Sequence, residues 1–385
     1  MNILWLASWY PTKLSPLNGD FIQRHAQAVS LYHDIVVLHL CRDEKGIITN
    51  DYQLVEKKEG NLTELILYYK SILIGINFLD RFFSGVKYRR LFKMVVTDYL
   101  AKNGNPSIVH IHIGMNAGLI ALWLKKKFAI KYVVTEHWSG LLPEAKNSFY
   151  ERPFLFKALW KKIIQGASAI SVVSEYLGKT IRENIAPVSY TVIPNVVNTN
   201  IFKYSDKRLC STTRFIHISR MDYQKNPEAI FKAFSIVNKN NPDFTLTIYS
   251  NELKKAEQLA IDYQLKDKVN CRVETTQSEL AKAMQESDAL ILFSRYETFG
   301  CVIIEANACG LPVIVSNIPT MHELVHEKVN GVFANNESAE DLAEKINWFM
   351  QNKQLFDAAS ISATASEMYN YNKIGKQFSD WYKTL

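Results

Sequence analysis

The chain has 385 residues, of which 48% are hydrophobic and 22% charged. This ordinary globular composition excludes collagen-like, low-complexity and largely disordered proteins, and the length fits two domains of moderate size. The net charge of +7 is modest, so it predicts no nucleic-acid partner and suits an anionic small ligand or an anionic membrane surface.

The first 200 residues alternate short, almost wholly apolar segments with longer amphipathic ones. Such apolar runs are typical of parallel strands covered on both faces, because neither face then needs polar side chains. A helix is predicted over residues 19–32. Strands are predicted over residues 2–8, 34–41, 108–113, 132–135, 169–174 and 190–194. Repeated strand–helix–strand units predict a doubly wound parallel sheet.

The same pattern restarts after a polar, irregular stretch over residues 195–213, which we interpret as a linker. Asn226 is expected to cap a helix whose first residue is Pro227. Further strands are predicted over residues 215–219, 244–249, 269–273, 289–294 and 313–316. We therefore predict an α/β protein with two Rossmann-like domains, 1–200 and 201–365, that face each other across a ligand-binding cleft.

The segment over residues 294–306 carries the strongest chemical signal. It follows an apolar strand and opens a helix that should end at Gly310. Glu297 is expected on the loop, whereas Glu305 is expected on the helix among apolar neighbours, where a carboxylate needs a partner or a ligand. Free amides before the helix can bind a phosphate, and Gly300 lets a ligand approach the backbone. The alternative is a helix with one capping glutamate and one buried, satisfied glutamate.

A second loop, over residues 219–227, also follows a predicted strand. Its Arg220 and Lys225 could both reach a diphosphate, the arginine as a fork and the lysine as a point charge. The alternative is a pair of solvated loop charges. Because both loops follow strands of one parallel sheet, they are expected at the same edge, which favours a shared anionic ligand.

Taken in order, these features resemble family 4 of the retaining glycosyltransferases, or glycosyl transferases group 1. The resemblance is carried by Arg220 and Lys225, by Glu297 and Glu305 with seven residues between them, and by Gly-Leu-Pro-Val-Ile at 310–314. Asn-Gly-Val-Phe at 330–333, followed by an acidic helix, is similar too. The resemblance covers most of the chain and implies the GT-B fold, with a last helix over 366–385 that crosses back to the N-terminal domain.

The resemblance also implies site residues and their roles. Arg220 and Lys225 would bind the diphosphate of a nucleotide-sugar. Glu297 would hold hydroxyls of the donor sugar, and Glu305 those of the ribose. The donor-binding residues implied in this way are Gly19, Arg220, Lys225, Glu297, Phe299, Gly300 and Glu305, and the implied catalytic residues are His137, Arg220, Lys225 and Glu297.

Two of these positions lie in the N-terminal domain, where the acceptor is expected to bind. Gly19 belongs to a loop that resembles the family's first glycine loop, although it has one glycine where two are common. His137 stands where the family carries a histidine that faces the donor sugar. Asn226 follows Lys225 at a position where many family members have glycine. Residues 249–251 also lack the glycine turn that is usual near the nucleotide base, so the sequence does not determine which base the donor carries.

A metal site is not predicted. His110 and His112 alternate along a strand and so face one side, but no third ligand accompanies them at a convincing spacing. We interpret them as satisfied or cleft-lining histidines. The chain also has no Asp-x-Asp pair, which metal-dependent nucleotide-sugar transferases usually need. We therefore expect no metal and no cofactor.

Residues 72–100 form a predicted basic, aromatic-rich helix whose Lys87, Arg89, Arg90 and Lys93 could touch an anionic membrane. The alternative is that its apolar stripe packs on the sheet. No signal peptide or membrane span is predicted, and the five scattered cysteines indicate a reducing compartment. We expect a cytoplasmic protein, peripheral on the inner face of the membrane.

The resemblance implies a retaining glycosyltransferase, and the missing Asp-x-Asp pair favours a metal-independent one. It would move a sugar from a nucleoside-diphosphate sugar to a glycan or lipid-linked glycan acceptor, in cell-surface polysaccharide biosynthesis. Two alternatives remain open at this point. One is a nucleotide-sugar epimerase of the same fold, and the other is a catalytically silent nucleotide-sugar-binding subunit.

Overall fold

A computed structural model describes residues 1–72, 75–206 and 211–385. The predicted linker and the predicted basic helix each include a few residues outside these ranges, as does Cys210. Within them the chain forms two parallel-sheet domains, as predicted. No helix of the described residues is both long and apolar enough to cross a membrane.

The first sheet has the strand order β3-β4-β2-β1-β5-β6-β7-β8. Its strands are β1 Asn2–Ala7, β2 Asp34–Arg42, β3 Tyr52–Glu59, β4 Leu62–Tyr69, β5 Ile108–His112, β6 Tyr132–Glu136, β7 Ile170–Val172 and β8 Thr191–Val192. All neighbours pair in parallel except β3, which runs antiparallel to β4 at the edge. Neither strand of this hairpin was predicted. β3 is polar on both faces and lacks the apolar run of the central strands, whereas β4 is apolar and buried along most of its length and its signal was missed.

The second sheet is wholly parallel, with the order β11-β10-β9-β12-β13-β14. Its strands are β9 Thr213–Ile218, β10 Phe244–Tyr249, β11 Val269–Arg272, β12 Ala289–Leu292, β13 Val313–Ser316 and β14 Gly331–Ala334. β9 lies between β10 and β12, so the chain reverses its direction of winding there. Ligands of doubly wound sheets bind at such a reversal, outside the carboxyl ends of the strands.

The helices cover both faces of each sheet. They are α1 Asp20–Ser30, α2 Asn77–Asn103, α3 Ala117–Phe128, α4 Phe154–Gly166, α5 Glu175–Thr180, α6 Pro227–Asn240, α7 Leu253–Asp262, α8 Gln277–Glu286, α9 Cys301–Ala308, α10 Ala339–Asn352, α11 Ala358–Tyr369 and α12 Tyr371–Lys383. α2, α3 and α4 share one apolar core on the first sheet, through residues such as Phe92, Ile120 and Trp160. α1 and α12 share the core on the opposite face, through Ile22 and Phe378.

The predicted last helix over 366–385 is in fact the end of α11 followed by α12, because the extended backbone of Asn370 separates the two helices. α12 crosses back onto the N-terminal domain, as the resemblance implies. Gly375 makes this approach possible, since a Cβ there would lie 2.1 Å from the carbonyl oxygen of Ala28 in α1. The hydroxyl of Tyr382 is hydrogen-bonded to Nδ1 of His110 at 2.6 Å. The last helix of the chain is therefore built into the first domain.

Candidate active site between the two domains

The two loops with the predicted donor contacts lie side by side. The amide of Arg295 donates to the carbonyl of Gln224 at 2.8 Å, and its guanidinium donates to the carbonyl of Tyr223 at 2.6 Å. Both loops extend from the carboxyl ends of neighbouring strands, β9 and β12. The parallel order of the sheet thus brings together two segments that are about 70 residues apart in sequence.

Lys225 and Glu297 form an ion pair at this junction. Glu297 is only 5% exposed, and its carboxylate also accepts from the amide of Gln224 at 3.1 Å and from the hydroxyl of Ser294 at 2.8 Å. A buried carboxylate is stable only with such partners. Arg220 lies exposed on the same loop as Lys225.

The departure at Asn226 has a conformational explanation. Its φ is 50°, in the left-handed region that glycine adopts most easily and asparagine next. The helix begins at Pro227 as predicted, but the predicted side-chain cap is wrong, because Asn226 makes no side-chain hydrogen bond to the helix amides from this left-handed backbone. Both polar atoms of that side chain are buried without a protein partner.

Gly300 and Phe299 bring the chain into helix α9. Gly300 has a φ of 96°, which explains why a glycine precedes the helix. Phe299 is buried against the ring of Tyr369, and the hydroxyl of Thr320 donates to the carbonyl of Glu297 at 2.7 Å. The first amides of α9 therefore lie next to Glu297, and α9 ends before Gly310, as predicted.

Glu305 is buried on α9, and its partner is an arginine that the sequence analysis did not identify. Nη1 of Arg24, from α1 of the other domain, donates to Glu305 at 2.5 Å, and Nη2 of Arg24 donates to Asp20 at 3.0 Å. Burial alone disfavours the arginine charge, yet the two carboxylates outweigh it and hold the pKa of Arg24 above its ordinary value. Burial raises the pKa of Glu305, and Arg24 opposes that shift. The Nε of Arg24 is buried without a partner.

Gly19 directly precedes α1 and lies against the end of β1. Its φ is 72°, and a Cβ at this position would stand 2.7 Å from the carbonyl carbon of Trp9. Both the left-handed backbone and the close approach require glycine. One glycine is sufficient for this turn, which places the start of α1, and hence Arg24, at the edge of the cleft.

His137 belongs to a cluster of buried histidines at the ends of β5 and β6. Its Nε2 lies 3.2 Å from Nδ1 of His112, and the ring of His25, from α1, lies 5.6 Å away. Burial lowers the pKa of His25 to about 4 and the pKa values of His112 and His137 well below the usual range. These imidazoles are therefore neutral near pH 7.

His110 is satisfied by the protein itself. Besides Tyr382, it is hydrogen-bonded through Nε2 to the hydroxyl of Thr135 at 2.7 Å. Its ring centroid lies 4.2 Å from that of His112, so the two side chains share a face of the sheet, as alternation predicts.

The expectation that no third ligand accompanies these histidines is wrong for His112. His25, His112 and His137 each offer a nitrogen, and these atoms lie within 4.8 Å of one another. The third group comes from α1, almost 90 residues from β5, so spacing in the sequence could not reveal it. However, the 3.2 Å contact between His112 and His137 has the geometry of a hydrogen bond, which uses one lone pair that a metal would need.

Glu136 fixes the chain next to His137. Its carboxylate accepts from the amides of Gly114 at 2.6 Å and His137 at 3.1 Å, and from the indole of Trp160 at 3.3 Å. Burial raises the pKa of Glu136, and these donors oppose the shift. With its oxygens occupied in this way, Glu136 positions the loop and is not free to attack a substrate.

Comparison with solved structures identifies the fold. Sucrose-phosphate synthase from Thermosynechococcus elongatus superposes over 100% of this chain and 99% of its own, with a TM-score of 0.80 at 18% sequence identity. HepE of Anabaena, solved in complex with UDP, covers 100% of both chains with a TM-score of 0.73 at 17% identity. The fold is therefore GT-B, as predicted.

Family comparisons then give the particular family. The model described as "Glycosyltransferase Family 4" matches residues 32–201, and the model described as "Glycosyl transferases group 1" matches residues 210–367. The two matches follow each other and together cover most of the chain. The protein belongs to the family 4, or group 1, glycosyltransferases.

Three curated relatives have similar sequences. An uncharacterized glycosyltransferase of Methanocaldococcus jannaschii is 25% identical over 74% of this chain and 77% of its own length. The alpha-monoglucosyldiacylglycerol synthase of Streptococcus pneumoniae is 25% identical over 60% of this chain and 56% of its own. The GDP-mannose:cellobiosyl-diphosphopolyprenol alpha-mannosyltransferase of Xanthomonas oryzae is 26% identical over 62% and 63%. In the last two cases the match spans less than two-thirds of the relative.

Proposed function

We propose that this glycosyltransferase transfers a hexosyl group, with retention, from a nucleoside-diphosphate sugar to a glycan or lipid-linked glycan acceptor in cell-surface polysaccharide biosynthesis. The observation that carries the proposal is the pairing of Lys225 with Glu297 beside the start of α9, with Arg220 on the same loop. HepE of Anabaena, a protein of similar fold, was solved in complex with UDP and with UDP-glucose, which supports a nucleotide-sugar donor.

The chemistry follows from the charges of this site. When the bond between the anomeric carbon and the diphosphate breaks, negative charge grows on the phosphate and positive charge on the sugar. Arg220, Lys225 and the first amides of α9 would stabilise the leaving diphosphate. Glu297 would hold sugar hydroxyls, and His137 would face the sugar from the other domain as a neutral hydrogen-bonding group.

Retention is proposed to occur by attack from the face that the diphosphate leaves. A double displacement would need a carboxylate nucleophile, and the one next to His137 in the sequence is Glu136. Hydrogen bonds from Gly114, His137 and Trp160 hold the carboxylate of Glu136 in place. A double displacement through Glu136 would require it to give up these bonds. The departing phosphate can instead accept the proton of the acceptor hydroxyl. We propose that the reaction uses no metal and no cofactor, because two cations and a helix terminus are available for the phosphates.

The donor is tested by calorimetry with UDP, GDP, ADP and their sugars. Glu305→Gln keeps the side-chain volume but removes a charged acceptor worth roughly 1.5–3 kcal/mol, so binding of the preferred nucleotide should weaken about 10- to 150-fold. Unchanged affinity would contradict the ribose role of Glu305. Slow hydrolysis of the donor without acceptor would exclude a silent binding subunit, and isomerisation of the donor would indicate the epimerase.

The acceptor is proposed to reach the protein from an anionic membrane surface on the cytoplasmic side. The sequence left open whether helix α2 touches a membrane or packs on the sheet, and its two halves differ in this respect. Its second half packs on the sheet through Phe92 and Val96, whereas near its start Phe78 is 76% exposed and Phe82 is 53% exposed. Two relatives are named for reactions on a diacylglycerol glycolipid and on a polyprenol-linked glycan, which supports a lipid-linked acceptor.

Flotation with liposomes tests the membrane contact. Each cation near an anionic surface contributes ~1 kcal/mol, so an Arg89→Gln, Arg90→Gln variant should bind anionic vesicles roughly 30-fold more weakly. Binding should also fade at 1 M salt, where the screening length is about 3 Å. Leu355→Ser, at an exposed position of the second domain, is the matched control. Equal, negligible binding to anionic and neutral vesicles at low salt would favour a soluble acceptor.

A further inference from the structure

A cavity of about 390 Å³ opens at the carboxyl edge of the first sheet. The ends of β1, β2 and β4 form its floor, and α2 and α3 form its sides. The polar side chains that line it belong to Ser8, Arg42, Tyr69, Ser84, Tyr88, Arg89 and Asn116. This cavity is separate from the two loops assigned to the donor, which lie in the other domain.

The cavity reaches the end of β5, at the edge of the first sheet where His137 also lies. The amide of Ser8 donates to the carbonyl of His112 at 3.2 Å, and His112 contacts His137. The residue after Ser8 is Trp9, whose carbonyl carbon Gly19 approaches so closely that no side chain fits between them. A ligand in the cavity would therefore lie at the same edge of the sheet as the histidine cluster and the glycine loop, which belong to its opposite face.

The electrostatics of the cavity suit an anion. Arg42 and Arg89 line it, and none of the described residues that line it is acidic. Glu44 accepts from Nε of Arg42 at 2.8 Å at the rim. Both side chains of that pair are exposed, and exposed ion pairs contribute little. A phosphate that binds both arginines can replace this contact through charge-assisted hydrogen bonds.

Two exposed apolar segments begin at the same edge of the sheet as the cavity. Helix α2, which supplies Tyr88 and Arg89, carries the exposed Phe82 about two turns nearer its start and Phe78 one turn further out. On the far side of α3, helix α4 begins with Phe154, 83% exposed, and Leu155, 68% exposed. α2, α3 and α4 lie on the same face of the sheet and follow β4, β5 and β6, so all three begin at the same edge.

We propose that this cavity binds the phosphate or diphosphate of a lipid-linked acceptor, with Arg42 and Arg89 on the phosphate and the exposed starts of α2 and α4 against the lipid. The inference rests on the proposed transferase function and names the chemical class of its acceptor. Apolar side chains next to cations are the composition of surfaces that bind anionic lipids. The sugar end of the acceptor would then have to pass over the ends of β1 and β5 to reach His137.

The experiment measures binding of geranylgeranyl diphosphate in neutral detergent, with a nucleoside diphosphate present to fill the donor site. The wild-type protein should bind this lipid at least 10-fold more tightly than geranylgeraniol and at least 10-fold more tightly than inorganic pyrophosphate. An Arg42→Gln, Arg89→Gln variant should lose 10- to 100-fold of this affinity, because two charge-assisted contacts are removed. Arg90→Gln, the neighbouring cation outside the cavity lining, is the matched control and should bind as the wild type does.

A Phe78→Ser, Phe82→Ser variant separates the two parts of the ligand. It should bind the lipid diphosphate more weakly while its affinity for pyrophosphate stays the same. All these side chains are exposed, so melting curves close to that of the wild type are expected. Equal losses in the Arg90→Gln control, or no loss in the Arg42→Gln, Arg89→Gln variant, would overturn the proposal.

The outcomes also separate this inference from the function on which it rests. If the protein binds a nucleoside diphosphate but no lipid diphosphate, the acceptor proposal fails and the transferase proposal stands. If no nucleotide binds, the transferase proposal fails independently. Tight binding of glucose 1-phosphate in place of the lipid would assign the cavity to a soluble sugar phosphate and overturn the lipid-linked class.

Discussion

The two walls of the cleft are built in opposite ways. The wall in the second domain is charged, and its Lys225 and Glu297 come from two loops that each follow a strand. The wall in the first domain is a buried cluster of neutral imidazoles, supplied by α1, β5 and the segment after β6. We therefore expect the stability of the first domain to depend on pH, because its wall contains buried neutral histidines. We expect catalysis to depend on single charged residues of the wall in the second domain.

Acid should affect the first domain more than the second. The pKa values of His25 and His39 are lowered to about 4, and those of His110, His112 and His137 are also lowered. A histidine whose folded pKa is depressed stabilises the fold above its unfolded pKa of about 6.5. That stability is lost as pH falls toward the folded pKa, by up to about 1.4 kcal/mol per unit for each group. Glu136, whose pKa is raised, opposes this trend.

Hydrogen exchange at pH 7.5 and 5.5 measures this difference. The amides of β1, β5 and β6 should lose protection at the lower pH before those of β9 and β12, because the second domain has His217 as its buried histidine among the described residues. Equal loss in both sheets would show that the histidine cluster does not control acid stability.

Arg24 tests the contact between the two walls. Arg24→Met leaves Glu305 buried without its cation, and breaking a buried pair in this way costs about 3–5 kcal/mol. Adding Glu305→Gln should restore part of the loss, since the remaining pair is neutral. Urea denaturation measures these differences. Lys376→Met removes a partner from the exposed pair with Asp380 and is the control that should leave the midpoint unchanged. Strict additivity of the Arg24 and Glu305 variants would contradict the pairing.

Arg220 and Lys225 test the charged wall in catalysis. Removing one group that stabilises developing negative charge costs about 10²- to 10³-fold in turnover, so Arg220→Ala and Lys225→Ala should each fall in that range. Because both act on one diphosphate, the double variant should be less damaged than the product of the single losses. Arg295→Ala, whose guanidinium binds the carbonyl of Tyr223, is a control for disturbance of the loop. If each variant loses little turnover and the losses multiply in the double variant, Arg220 and Lys225 are solvated loop charges and do not act on one diphosphate.

Removal of metal ions is expected to have the smallest effect on activity of all these tests. Treatment with EDTA should leave turnover unchanged, since the proposed mechanism neutralises the phosphates with side chains and helix amides. Inhibition by EDTA that zinc or manganese reverses, and that is absent in a His25→Gln variant, would instead assign a metal to the histidine cluster of the first wall.

The sequence alone predicted the architecture and the charged wall, for a local physical reason. In a parallel sheet the carboxyl ends of neighbouring strands share an edge, so a loop residue such as Lys225 or Glu297 can be placed from its strand alone. The edge strand β3 escaped prediction because its polar faces lack the signal of a covered strand. The cap at Asn226 failed because the left-handed backbone was not foreseen.

Only the tertiary structure decided the partners of Glu305 and His137. Arg24 and His25 lie on one amphipathic helix, and the periodicity of α1 shows which face is buried but not what lies against it. Their partners are 281 residues away in α9 and on strands that α1 meets only after the sheet has formed. A carboxylate or an imidazole in an apolar segment indicates that a polar partner is required. The identity of that partner depends on how the two domains and the returning C-terminal helix pack together.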